Sequence, residues 1–278
     1  MNPTLLWQIA GGLAAVSGLL MSIPVTRAID RWPDDQTIFD APRCPRCGHR
    51  LSALEQLPIV SWLFLKGRCS RCNSPIPAVY PVIEALCGVL AWLLFRRFVP
   101  EPDMLDGTHL AAVGVFSIYT MLLVVQSLVD LRHQIIPDET SINAVPVGIV
   151  TAVLLDVVGF PGAIGWEMSI LGALAGGLGM FAIFLVGAVV TGRVAMGFGD
   201  VKLMAMIGSF LGPWALFSVL FTGSVVGAAA GLLMIANGRN AGAGIPFGPF
   251  LAFGAITYVV HEQTFFDVGA VLAELIPI

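Results

Sequence analysis

The strongest constraint on this chain is a series of apolar runs, several long enough to cross a lipid bilayer. They cover residues 5–25, 79–95, 109–129, 141–158, 166–190 and 214–236, with shorter runs at 201–211 and ending near 260. Hydrocarbon offers backbone N–H and C=O groups no water, so a crossing segment must satisfy them internally, as a helix does. The expected fold is an all-α polytopic membrane protein with about eight transmembrane helices. Composition agrees: 57% of residues are hydrophobic, 12% are charged and the mean hydropathy is +0.88. A soluble domain carries about 25% charged residues. There is no basic patch with interleaved aromatics, so the expected surrounding is a lipid bilayer and no nucleic-acid partner is expected.

The first run has no basic stretch before it, whereas Arg27 and Arg31 follow it. This predicts a retained helix with its N-terminus outside and its C-terminus in the cytoplasm, not a cleaved signal. Eight helices with both ends outside leave four cytoplasmic segments. With their flanks these hold Arg27, Arg31, Arg43, Arg46, Arg50, Lys66, Arg68, Arg71, Arg132, Arg193, Lys202 and Arg239, while Arg96 and Arg97 remain outside. The expected divisions are a first helix (1–26), a cytoplasmic cysteine-bearing loop (27–79), a helical bundle (80–260) and a C-terminal tail (261–278).

Two acids interrupt this apolar pattern at membrane depth. Asp200 lies in Ala195-Met-Gly-Phe-Gly-Asp-Val-Lys202, between two apolar runs, and Asp130 ends the third run. An acid at such a junction is costly to ionise and marks a functional site by default. Gly197 and Gly199 allow close backbone approach to a substrate. The topology puts both acids on one face, where two carboxylates can share a proton and activate a water. Asp138 is a third acid nearby, readable as the N-cap of the fourth long helix; spacing alone does not choose between Asp130 and Asp138. Lys202, two residues from Asp200, is expected at the surface or against a substrate leader. Glu84 reads equally as an interfacial acid with a local partner or as a contact to a cationic or polar ligand. A transporter using Asp130 and Asp200 as a proton or cation relay is the competing reading.

The polar segment holds Cys44-Pro-Arg-Cys47 and Cys69-Ser-Arg-Cys72. Two such pairs match a zinc-ribbon pattern, each placing two thiolates on one metal, with Gly48 helping the first knuckle to turn. Its many arginines and its lysine place the segment in the reducing cytoplasm, which disfavours disulfides. Structural zinc on Cys44, Cys47, Cys69 and Cys72 is therefore expected. Cys87, alone in an apolar run, reads as buried packing. The apolar stretch 57–65 is too short to span and is expected at the membrane interface.

These motifs, with Tyr80-Pro-Val-Ile-Glu84 and Pro246-Phe-Gly-Pro249, resemble in order those of the type IV prepilin peptidases, the leader peptidase/N-methyltransferases among GxGD-type membrane aspartic proteases. The resemblance implies a bacterial inner-membrane aspartic endopeptidase that removes the leader of type IV prepilins and pseudopilins at the cytoplasmic face. S-adenosylmethionine then serves to methylate the new N-terminal residue. Asp130 and Asp200 match the family's catalytic pair, and the family pattern chooses Asp130 over Asp138. The cysteine loop points to the bifunctional bacterial branch and away from presenilin-like proteases with other substrates. Near the end of the first helix members usually carry Gly-Ser-Phe-Leu-Asn with an Arg a few residues on; here Gly18 and Arg27 fit, but Leu19 stands for the Ser, Ser22 for the Asn, and Pro24 interrupts.

Overall fold

The computed structural model describes residues 2–32, 41–192, 197–238 and 245–275. Among these there is no strand beyond two isolated bridges, and the chain is helical, as expected. It divides into two compact units, Met1–Val125 and Gln126–Ile278. Residues 193–196 and 239–244, including Arg193, Ala195, Met196 and Arg239, lie outside the described residues.

In the first unit, α1 (Pro3–Arg31) packs along α3 (Val79–Phe98). Asn2 caps α1 by accepting the Thr4 N–H at 3.1 Å, and Pro3 stands where a missing N–H does no harm. Two glycines set the approach to α3. A Cβ on Gly18 would lie 2.5 Å from the Cys87 carbonyl oxygen, and one on Gly88 would lie 2.9 Å from Leu19 Cγ. Cys87 is fully buried there, the packing role its sequence context suggested. The helix does not stop at Val25: it continues through Pro24 to Arg31. Hydroxyls bond back to the carbonyls around the proline, Ser22 to Leu19 at 2.6 Å and Thr26 to Ser22 at 3.1 Å. Such bonds help a membrane helix tolerate a proline.

The cysteine loop with α2 (Val60–Phe64) lies between α1 and α3, and α4 (Gly107–His133) begins in the first unit. Ser52 and Glu55 form a capping box, with Ser52 N–H donating to Glu55 at 2.7 Å. Val60, Leu63 and Phe64 of this stretch are exposed.

The second unit takes the end of α4 and then α5 (Val145–Val157), α6 (Gly165–Thr191), α7 (Phe198–Leu211), α8 (Pro213–Ala236) and α9 (Gly248–Leu275). Helix α7 packs against α5, α6, α8 and α9, and every residue from Leu203 to Leu211 is buried. Its contact with α6 is backbone on backbone. A Cβ on Gly172 would fall on the Gly208 carbonyl, one on Gly208 on the Gly172 carbonyl, and one on Gly176 on that of Met204. Small residues four apart permit this approach.

Among the described residues five helices are long and apolar enough to cross a membrane: Pro3–Ile29, Val79–Phe98, Gly107–His133, Gly165–Val190 and Pro213–Ala236. The windows in α6 and α8 are only 11% buried, leaving most of their apolar surface for lipid. With α5, α7 and α9 these helices occupy the places of the eight transmembrane helices anticipated, five of them long enough to span. At about 1.5 Å per residue, α5 and α7 fall short of the ~30 Å hydrocarbon thickness. Their apolar character reflects packing inside the unit as much as passage through lipid. The chain is a multi-pass membrane protein.

Candidate active site and metal centre

Asp200 enters through a helix start. Gly197 is extended (φ −74°, ψ 145°), and the Asp200 N–H bonds back to its carbonyl at 3.2 Å, which sets the acid in the first turn of α7. Phe198 anchors that turn edge-on against Phe181 and Phe184 of α6. Asp130 stands in the last turn of α4, where the helix dipole disfavours negative charge. Compensation comes from α9, whose first residue, Gly248, donates its N–H to Asp130 Oδ2 at 3.1 Å. Each acid is only 6% exposed, so neither is a snorkelling surface carboxylate.

Ile136 lies between the two helix starts. A Cβ on Gly199 would stand 3.0 Å from Ile136 Cβ, and one on Gly248 would stand 3.3 Å from Ile136 Cδ1. Ile136 thus touches both the turn that carries Asp200 and the residue that bonds Asp130. Two helix N-termini, those of α7 and α9, converge on this acid pair, and their positive ends favour negative charge.

Asp138 does not cap a helix. Its carboxylate pairs with Lys202 Nζ, and the following 3₁₀ turn (Ile142–Ala144) has no side-chain cap. Lys202 thus lies neither free at the surface nor on the acid pair; it ties the loop after Asp130 to α7, with its ammonium 5.6 Å from the Phe198 ring centroid. Sequence reading also missed Gln126, one turn before Asp130. Its amide donates to the Thr140 carbonyl and to Met206 Sδ (3.4 Å), holding α4, the loop and α7 together. A buried amide inside an apolar run was the available signal.

The four cysteines meet in the first unit, with their sulfurs all within 4.8 Å of one another and Cys44 Sγ 3.8 Å from Cys72 Sγ. Four sulfurs at ~2.3 Å from a tetrahedral ion stand roughly 3.8 Å apart, so the cluster could hold a metal ion. The two knuckles are built alike. Cys44 N–H bonds the His49 carbonyl at 2.8 Å and Cys69 N–H the Ser74 carbonyl at 2.9 Å. Each turn needs a left-handed residue four after its first cysteine: Gly48 (φ 68°) and Asn73 (φ 55°). Backbone N–H groups of Cys47 and Arg46 pull the Cys44 thiol down to about 6, toward the thiolate a metal binds.

Beside the knuckles is a cavity of about 980 Å³. Arg27, Arg31, Trp62, Tyr80 and Glu84 are among its lining. Glu84 has the local partner that one of its two readings called for: Oε2 accepts the Ile59 N–H at 2.6 Å.

The same two regions carry the similarity to known proteins. Residues 16–98 match the bacterial peptidase A24 N-terminal domain, and residues 117–232 match the type IV leader peptidase family. A prepilin leader peptidase/N-methyltransferase of Dichelobacter nodosus is 34% identical over 227 residues, covering 81% of this chain and 73% of that protein. One of Aeromonas hydrophila is 34% identical over 229 residues, covering 79% and 74%. The chain belongs to the type IV leader peptidase family. A further relative of the same name, from Myxococcus xanthus, is 37% identical over 226 residues, covering 81% of this chain and 63% of that protein. No solved structure matches the chain. The leader peptidase match spans both Asp130 and Asp200, and the N-terminal match spans all four cysteines and the cavity-lining residues named above.

Proposed function

We propose that this chain is an aspartic endopeptidase of the bacterial inner membrane. It removes the leader of type IV prepilins or pseudopilins at the cytoplasmic face and methylates the new N-terminal residue with S-adenosylmethionine. The observation that carries the peptidase reading is that the Asp130 end of α4 meets the starts of α9 and α7, which carry Gly248 and Asp200, around Ile136. The names of the relatives support the substrate and the second activity.

Two carboxylates that share a proton cannot both ionise cheaply, so Asp130 and Asp200 act as a pair. One, ionised, takes a proton from a water that attacks the scissile carbonyl. The other, protonated, donates to the carbonyl oxygen and regains that proton as the carbonyl re-forms, while the first passes the proton it took from water to the departing amine. The Gly248 N–H holds Asp130 in place, and the Asp138–Lys202 pair with Gln126 holds the intervening loop. Cys44, Cys47, Cys69 and Cys72 would hold a structural zinc, which would bind the two knuckles into one unit. S-adenosylmethionine, when bound, supplies an electrophilic methyl group to the new amine.

The test is cleavage of a prepilin by purified variants. Asp130→Asn and Asp200→Asn should each lower the rate by about a hundredfold to ten-thousandfold, since neither amide can exchange the proton. Asp138→Asn breaks an exposed ion pair that helps hold the loop and should lower the rate by less than about tenfold, a far milder effect. Normal cleavage by either Asp130→Asn or Asp200→Asn would sink the paired-acid mechanism.

A further inference from the structure

Arg96 and Arg97 are the two cations that the expected topology leaves on the side opposite the other basic residues. They stand in the last turn of α3, where a helix end favours positive charge, but that accounts for the sign and not for the setting of Arg96. Its guanidinium lies over the Trp7 ring of α1, 4.8 Å from the centroid, and over the Trp92 ring one turn back on α3, at 5.8 Å. Trp7 is fixed: its indole N–H bonds the Val99 carbonyl at 2.8 Å, and its ring packs on Phe95 at 5.9 Å. Arg96 is exposed, and among the described residues no carboxylate is paired with it, although Glu101 and Asp103 follow closely in the chain. Arg97 turns instead to the Phe98 ring, 5.7 Å from its centroid.

Stacking uses the face of a guanidinium and leaves its N–H groups free in the plane, the fork that meets a phosphate bidentately. The two tryptophans therefore hold Arg96 ready for a phosphate-type oxyanion. The surface beneath it identifies the carrier. Trp92, Val89 and Leu86 lie behind Arg96 at helical spacing on α3 and are 42%, 52% and 45% exposed, an apolar stripe open to the surroundings. From Arg96 to Leu86 this stripe runs about 15 Å, one leaflet's half of the ~30 Å hydrocarbon core. We infer that this end of α1 and α3 is a binding site for a bilayer phospholipid. Its phosphodiester sits on Arg96 and an acyl chain lies along Trp92, Val89 and Leu86. A soluble phosphate would make no use of the stripe, and an apolar chain alone would make no use of the caged fork. The residues of the site all belong to the first unit, whereas Asp130 and Asp200 belong to the second, so the lipid takes no part in cleavage.

The experiment is photolabelling of the purified full chain, in detergent, with a phosphatidylglycerol that carries a diazirine near its glycerol. Label on α3 should saturate. Arg96→Gln should raise the half-saturating concentration for α3 at least tenfold and leave labelling of the arginine-bearing segment 43–50 unchanged. Arg96→Lys, which keeps the charge and loses the fork, should raise it at least threefold. Both variants should cleave prepilin at the wild-type rate, which shows that they fold. Labelling of α3 that does not saturate, that Arg96→Gln leaves unchanged, or that falls on α3 and on segment 43–50 alike overturns the site. Labelling of Arg96→Lys equal to wild type would reduce the contact to charge attraction and overturn the caged fork. Should either variant fail to fold, competition on wild type decides. Unlabelled phosphatidylglycerol should displace the label, whereas diacylglycerol and glycerol phosphate should not. Displacement by diacylglycerol would mean an apolar contact only, and by glycerol phosphate a soluble anion only; either result overturns the proposal.

Discussion

A methyl group added at Gly248 would stand 2.7 Å from Asp130 Oδ2, and the atom it meets is the movable end of a side chain. The backbone could therefore remain in place while the carboxylate turned away. Gly248→Ala should leave the melting temperature nearly unchanged and lower prepilin cleavage by about a hundredfold, the scale expected for an ångström of misplacement. A variant that cleaves at the wild-type rate would show that the Gly248 N–H does not set the position of Asp130. The two acids were legible in the sequence because ionisable residues at membrane depth are rare for an energetic reason. Asp138 was misread, because capping and ion pairing use the same carboxylate. Only the approach of Lys202 from a distant helix distinguishes them.

At the scale of the element, the knuckles show how little chain is needed when a metal supplies the core. Each knuckle is a short turn closed by cysteine backbone bonds, with a left-handed residue at Gly48 or Asn73. Cys69→Ser should release about one zinc per chain and expose residues 44–72 to protease, because so small a loop folds with its metal. Metal analysis beside N-terminal mass spectrometry of a co-expressed pilin checks this. Methylation should fall further than cleavage, since the cysteines belong to the N-terminal matched domain, whereas the acids stand on helices of the other unit. Wild-type protein that methylates without metal would contradict the zinc reading. The Cys-x-x-Cys spacing announced both knuckles and Gly48 announced one turn. Asn73 passed unnoticed because asparagine is common in many backbone conformations.

At the scale of the molecule, the orientation in the membrane can be tested from both sides. Ser52 lies in the cysteine loop and Asp103 in the short 3₁₀ turn between α3 and α4, and both are exposed. A cysteine at position 52 should react with an impermeant thiol reagent only after permeabilisation, and one at position 103 in intact spheroplasts. The reverse pattern would invert the topology and move both acids to the outer face. What the sequence determined by itself was the helical class, the order of the helices, two acids at membrane depth and a cluster of four cysteines that could hold a metal. Each of these follows from local composition or spacing: an apolar run must bond its own backbone, and four thiols in two close pairs have few other uses. Tertiary structure alone decided that α7 is enclosed by four other helices, that the first residue of α9 supplies the N–H on Asp130, and that Glu84, Arg27 and Trp62 share one cavity. Those relations join residues far apart in the chain, and they depend on how closely glycine-lined helices approach, which no single segment specifies.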